Sequence, residues 1–240
     1  MSAVFALVAS TATGCIIDNS GGDDGPSDVG LITANWSFKE LETNSILPCP
    51  TGFNTAAFYA YPVDSTGTRV GDPIIDLYQC AAGSGTSDYP IGRYEVYLEI
   101  TNGTNTGLYA QSLSTIVDIR PDDATFTTTI IDDGGFFVFD WELRGQTSGT
   151  VLSCAQANTA RVDIGVTVAG TTEGTNDTFP CEQRTGVTGG LIADTYTVTI
   201  AALNTANQSV GTAPSLTNKV IQAPNKVTDL GLIMVPITGQ

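Results

Sequence analysis

Histidine is missing from this chain, and positive charge is scarce: 9 Lys and Arg stand against 25 Asp and Glu, a net charge of −16. The lack of His removes the commonest general base and the commonest zinc ligand. It excludes a Ser-His-Asp triad, a Cys-His dyad, a His-ligated zinc site and an HExxH protease. The acidic excess repels nucleic acid phosphates and anionic lipid surfaces, so nucleic acid is not an expected partner. Aromatics are 8% and charged residues 14%, and no stretch reads as a long Leu/Glu/Lys-rich helix. The 240 residues are instead punctuated throughout by 26 Gly and by Pro, Asn and Asp. That pattern favours many short strands.

The first residues, Met1–Ala9 "MSAVFALVA", are apolar and uncharged. They are too few to span a membrane as a helix. They match the apolar region of an export signal, with small residues after it. The alternative is a buried N-terminal strand. It fits poorly with the stretch that follows, "DNSGGDDGPSD" from Asp18, which has nothing to bury.

Ala12-Thr13-Gly14-Cys15 resembles the lipobox of bacterial lipoproteins, with Ala12 where that family usually has Leu. The resemblance implies a signal over 1–14, cut before Cys15, and a Cys15 acylated on its sulfur and its new amino group. Several acyl chains anchor stably where one is marginal. Residues 15–30 then form a flexible acidic tether with a root-mean-square span of about 20 Å. Ile16, not Asp, follows the cysteine, which by the same resemblance points to the outer membrane or cell surface.

The remainder repeats once. "LITANWSFKEL" from Leu31 aligns with "FFVFDWELRGQ" from Phe136, so that Trp36 falls on Trp141 and Cys49 on Cys154. The same offset sets Ala57, Tyr59, Tyr61 and Val63 on Val162, Ile164, Val166 and Val168. "YQC" ending at Cys80 matches "FPC" ending at Cys181, and Tyr94 in "IGRYEVYLEI" matches Tyr196 in "IADTYTVTIAAL". "ATFTTTII" from Ala124 and "VTDLGLIM" from Val227 are the matching last strands. Two domains follow, 31–131 and 136–240, joined by 132–135, "DDGG". Copies of about 100 residues can each close a core, unlike solenoid repeats. Within the first copy the expected strands are near 31–39, 55–63, 72–79, 92–101, 108–118 and 124–131. The fold class is all-β: two tandem antiparallel β-sandwich domains after a signal and a disordered tether. Trp36 and Trp141 are expected to anchor the two cores by packing.

Five cysteines is an odd number. Two lie at matching places in each repeat, which pairs Cys49 with Cys80 and Cys154 with Cys181. Cys15 is left over, at the end of the signal. Export supplies the oxidising compartment. Closing each loop of about 30 residues is worth roughly 3–4 kcal/mol in the chain-entropy model. No pair has CxxC spacing, so neither a redox motif nor a zinc ribbon is expected.

"IADTYTVTIAAL" is similar to a motif of immunoglobulin-like and transthyretin-like sandwiches of bacterial surface proteins. The resemblance implies a fold and a setting, not an activity. It also implies that Tyr94 and Tyr196 act as corner residues whose hydroxyls bond nearby backbone. The cysteines depart from the antibody pattern, since the first follows the Trp strand and the second precedes the Tyr strand.

Acidic pairs are the remaining candidates for chemistry. Asp132–Asp133 is a candidate Ca²⁺ site at the domain junction, although "DDGG" is not a DxDxDG loop and the second copy ends without such a pair. Its other reading is turn and linker chemistry. A glycosidase needs two facing carboxylates across a cleft, and the repeat holds no shared acid pair. Tyr59, Tyr61, Tyr89, Tyr97 and Tyr109 enrich the first copy, and exposed rings can stack on sugars. Tyr97 is out of phase with Tyr94, Val96 and Leu98, so it is expected to face solvent. An exposed strand Tyr is also simply a good strand former.

The expected function is that of a non-catalytic, lipid-anchored envelope protein, a structural or adhesive spacer with no cofactor. The alternative is a surface module binding a glycan or protein ligand. A Ca²⁺-stiffened hinge protein or a glycan-acting enzyme comes third.

Overall fold

The computed structural model describes residues 29–103, 107–120 and 122–239. The expected signal, Cys15 and all but the last two residues of the expected tether lie outside them. Among the described residues there is no α-helix, only strands and two short 3₁₀ turns at Cys80–Ala82 and Cys181–Gln183. The first half runs β1 Val29–Glu40, β2 Ser45–Leu47, β3 Thr55–Pro62, β4 Ile74–Gln79, β5 Ser84–Pro90, β6 Arg93–Thr101, β7 Leu108–Gln111, β8 Thr115–Asp118 and β9 Ala124–Ile131. The second runs β10 Gly134–Gly145, β11 Val151–Leu152, β12 Arg161–Val168, β13 Gly174–Pro180, β14 Thr185–Val187, β15 Leu191–Ile192, β16 Thr195–Leu203, β17 Ser209–Thr212, β18 Leu216–Val220 and β19 Lys226–Ile237.

The two halves pair their strands by one scheme. In the first, β1 takes β2 and β5 along one edge and β9 along the other. Facing it is the sheet β4-β3-β6, with β7 and β8 both on the far edge of β6. In the second, β10 takes β11, β14 and β15, and on its other edge β19. Its facing sheet is β13-β12-β16, with β17 and β18 on β16. One pair, Gly211 with Ile237, joins the two sheets of the second half.

Several elements differ from the expectation. Pairing is antiparallel except that the first and last strands of each half run parallel. With first and last strands parallel, the chain enters each half at one end of the sandwich and leaves it at the other. β2 and β5 were not expected. β5, "SGTSDYP", buries only Tyr89 fully, so it carries no apolar run. Strand β1 begins inside the expected tether, at Val29, and β10 inside the expected linker, at Gly134. Gly134 and Gly135 are strand residues because backbone approaches them closely. An added Cβ would lie 1.9 Å from the Leu191 carbonyl oxygen and 2.0 Å from that of Lys226.

Each half closes a separate core. Trp36, Phe38, Phe58, Leu98, Ile100 and Phe126 fill the first. Phe137, Phe139, Trp141, Leu143, Ile164 and Ile200 fill the second. Each such side chain is worth roughly 1.5–3 kcal/mol of burial. The disulfides Cys49–Cys80 and Cys154–Cys181 close loops of 31 and 27 residues. The Tyr94 hydroxyl donates to the carbonyl of Pro90 at 2.7 Å, and the Tyr196 hydroxyl to that of Ile192, also at 2.7 Å. Both are four-residue tyrosine corners. Burial raises the pKa of each phenol, so both stay protonated donors.

Candidate functional surface and interdomain junction

The face of β3 and β6 turned away from the core distinguishes the first half. Tyr94 and Tyr196 fix the correspondence of β6 with β16, so Leu98 matches Ile200. Leu98 pairs with Phe58, and Ile200 with Ile164. Phe58 therefore corresponds to Ile164, and the sequence alignment that set Tyr59 on Ile164 is one residue out of step. The cause lies in the loop before the strand. It runs from Cys49 to Thr55 in the first copy and from Cys154 to Arg161 in the second, one residue longer. A one-residue slip moves every side chain to the opposite face. Tyr59 and Tyr61 thus lie on the outer face, while Ala56, Phe58 and Ala60 fill the core. Their true counterparts are Gly165 and Thr167.

Tyr97 shares this outer face but is not solvent-facing as expected: it is only 8% exposed. Its ring stacks on Tyr59 at 4.8 Å and 9°, and lies 6.1 Å and 17° from Tyr61. The Arg69 guanidinium covers Tyr61 at 3.9 Å from the ring centroid. Arg69 Nε also donates to Glu95 at 2.7 Å. That hydrogen bond holds the Glu95 carboxyl below its usual range. For Tyr97, burial first and the bond to Tyr61 second push the phenol up. The result is a ladder, Tyr59–Tyr97–Tyr61–Arg69, whose members cover one another. Stacked and cation–π pairs are each worth about 0.5–1.5 kcal/mol. Ring faces used inside the ladder are not open to stack on a sugar. Around it lie exposed apolar side chains: Ile75 at 48%, Leu77 at 63% and Ile116 at 44%. Of the other tyrosines singled out, Tyr89 is fully buried and donates to Asp76, and Tyr109 packs on Phe53 at 5.1 Å.

The second feature is the junction. Only Asp132 and Asp133 separate β9 from β10. The Asp133 carboxylate accepts from the backbone N–H groups of Leu41 at 2.8 Å and Glu42 at 2.9 Å. The Asp132 N–H donates to the Lys39 carbonyl at 2.9 Å. From the second half comes Asn225, 2% exposed and with a positive φ of 47°. Its side-chain oxygen accepts from the Ile131 N–H at 2.7 Å, and its own N–H donates to the Ile131 carbonyl at 2.8 Å. Its amide nitrogen donates to the Gln111 carbonyl at 2.7 Å. Asn tolerates this left-handed backbone better than other non-glycine residues. Gly190 sits against Ile131 and Leu41 of the first half; a Cβ there would meet Ile131 Cδ1 at 2.3 Å. Nothing in the sequence near Asn225 signals its role, because its partners are 94 and 114 residues away.

The two aspartates proposed for Ca²⁺ therefore have unlike surroundings. Asp133 is engaged with backbone. Asp132 has its pKa raised, by burial first and then by the charges of Asp133 and Glu40. Among the described residues no group of three or more His, Cys, Asp or Glu is placed to hold a metal ion.

No family model matches the chain, and no curated protein matches it in sequence. Solved structures do resemble it. A leucine-rich repeat protein from Bacteroides thetaiotaomicron is 15% identical, with a TM-score of 0.35. That match covers 88% of this chain, but the chain spans only 26% of that protein. A candidate adhesin from Bacteroides ovatus is 11% identical over 79% of this chain and 76% of its own, with a TM-score of 0.31. The fimbrial anchor protein Mfa2 from Porphyromonas gingivalis is 8% identical over 77% and 81%, with a TM-score of 0.27.

Proposed function

We propose that this chain is a non-catalytic, exported surface protein: a stiff two-domain spacer, held to the outer membrane or cell surface through acylated Cys15, with the first domain as its contact face. The observation that carries the spacer reading is the junction. A two-residue link, the Asp133 carboxylate on two N–H groups and the buried Asn225 leave few free torsions between the halves. A load-bearing or display role needs a fixed distance from the anchor to the far domain. The anchor supports the same reading, since the four cysteines of the halves are paired and Cys15 stands outside that arithmetic. The contact face is the ladder side of the first domain, because its counterpart shows that the fold does not need tyrosines there. With ring faces consumed by stacking, an apolar protein surface suits it better than a sugar.

The test is a distance between spin labels, one on the β12–β13 turn and one on the β3–β4 loop. A single narrow distribution is expected for the unaltered chain. Asn225→Ala with Asp133→Ala broadens it. A broad distribution in the unaltered chain overturns the spacer reading.

A further inference from the structure

Strand β4 ends its sheet: β3 occupies one edge, and among the described residues no strand pairs with the other. The bond from the Cys80 N–H to the Asn54 carbonyl, 2.8 Å, sets the phase of the β3–β4 ladder. In an antiparallel ladder, directly opposed residues alternate between exchanging both hydrogen bonds and exchanging none. Cys80, Tyr78, Asp76 and Ile74 therefore turn their backbone groups toward β3. Ile75, Leu77 and Gln79 turn theirs outward, to the open edge. The side chains of Ile75 and Leu77 are the exposed apolar ones beside the tyrosine ladder. An open edge of free N–H and C=O groups is a template for another strand.

The second half has the same open edge, at β13, and shows that apolar side chains on it are not a requirement of the fold. Its corresponding strand, β13, pairs Asn176 with Gly165 and Thr178 with Asp163. Those positions match Ile75, which pairs with Tyr59, and Leu77, which pairs with Ala57. The second edge thus presents polar side chains on its outer face, as soluble proteins do to blunt an edge. Neither face carries a charge, and the first presents Ile75 and Leu77 where the second presents Asn176 and Thr178.

We infer that β4 is a self-association edge, and that its partner is β4 of a second copy of this chain. The strand is self-complementary about a two-fold axis normal to the sheet. Antiparallel pairing with Leu77 opposite Leu77 makes Ile75 oppose Gln79 in both directions. All of those residues carry outward backbone groups, so the hydrogen bonds close in this register. Asp76 then opposes Tyr78 rather than a second Asp76, and its carboxylate already accepts from Tyr89. The two ladder faces become one continuous outer surface. Six residues of strand are a small interface compared with the roughly 1,200 Å² of standard complexes, so association in solution is weak. Two chains of charge −16 also repel, so added salt strengthens pairing. Anchoring many chains to one membrane raises their local concentration. This inference rests on the first domain being the contact domain.

The test is sedimentation velocity of the full chain from about 10 μM to about 1 mM, the range a small interface demands. A concentration-dependent dimer is expected, favoured by salt. Leu77→Lys weakens association at least about ten-fold, and Thr178→Lys on β13 leaves it unchanged. Oxidised Leu77→Cys forms a covalent dimer, since opposed Cα atoms lie about 5.5 Å apart, whereas Thr178→Cys does not. A chain that stays monomeric throughout, or a dimer that survives Leu77→Lys and fails to cross-link through Leu77→Cys, overturns the proposal. A monomer that still gives one narrow interdomain distance overturns the self-pairing alone and leaves the spacer reading standing.

Discussion

Trp36 and Trp141 sit at the same place in the two halves, yet their indole nitrogens fare differently. Trp36 Nε1 donates to the Cys80 carbonyl at 2.8 Å, while Trp141 Nε1 is buried with no partner among the described residues. Trp141 is instead held by rings, with Phe139 and Phe179 at 5.7 and 5.9 Å. The turns after the second cysteines differ in the same way. Gly83 in the first half has a φ of 69°, and the second half forces Arg184 into that conformation at 62°. Both residues accept at their carbonyl from the Trp-strand N–H, Trp36 at 2.9 Å and Trp141 at 3.0 Å. What the halves share is what the sandwich needs: an inward Trp, a disulfide, a tyrosine corner and a left-handed turn residue. Where they differ, the fold has left the choice open, and the second half carries small local costs. The outer faces belong to that open category, and the tyrosine ladder has no counterpart at Gly165 and Thr167 of the second half.

The largest expected break in the comparison is at the tryptophans. Trp36→Phe loses packing and the buried bond to the Cys80 carbonyl, leaving that oxygen only the longer bond from the Gly83 N–H at 3.3 Å, while Trp141→Phe removes a donor that had nothing to bond. The first should cost about 1–2 kcal/mol more than the second, read from chemical denaturation of the full chain. Next come the turns. Gly83→Ala places a side chain at positive φ without a clash, the nearest atom being 3.6 Å away, and should cost about 1 kcal/mol. Arg184→Gly should go the other way, by somewhat less, because it gives up the Arg184 bond to the Leu152 carbonyl. Thermal melts of both variants check the opposed signs. The smallest effect is at Asp132. Its folded pKa lies above the ordinary value, so its contribution is fully present below the unfolded pKa and is lost as pH rises through the folded one. Asp132→Asn should therefore raise the melting temperature slightly at pH 7 and leave it unchanged near pH 3. A variant destabilised at pH 7 would contradict the burial and repulsion assigned to that carboxyl.

Much of this framework can be read from residue spacing. Trp36 with Trp141, the four cysteines and Tyr94 with Tyr196 are single strong markers, and each recurs in register with its neighbours. The outer face could not be read that way. In β3 both alternating sets are apolar, Ala56-Phe58-Ala60 and Ala57-Tyr59-Tyr61, so periodicity does not choose between them. Only cross-strand pairing with β6 decides, and one extra loop residue in the second copy is enough to invert the assignment. The junction was hidden for a different reason. Asp133 stands out in sequence as a charge beside another charge, while its two backbone partners and Asn225 are brought to it by the tertiary fold.

The proposed function divides the five cysteines: four staple two like domains, and Cys15 is the proposed anchor. Intact mass of the membrane-fraction protein, alkylated with and without prior reduction, measures that division directly. The account predicts a chain beginning at Cys15 with added acyl mass, and four cysteines that alkylate only after reduction. A chain beginning at Met1 with five free thiols would contradict it.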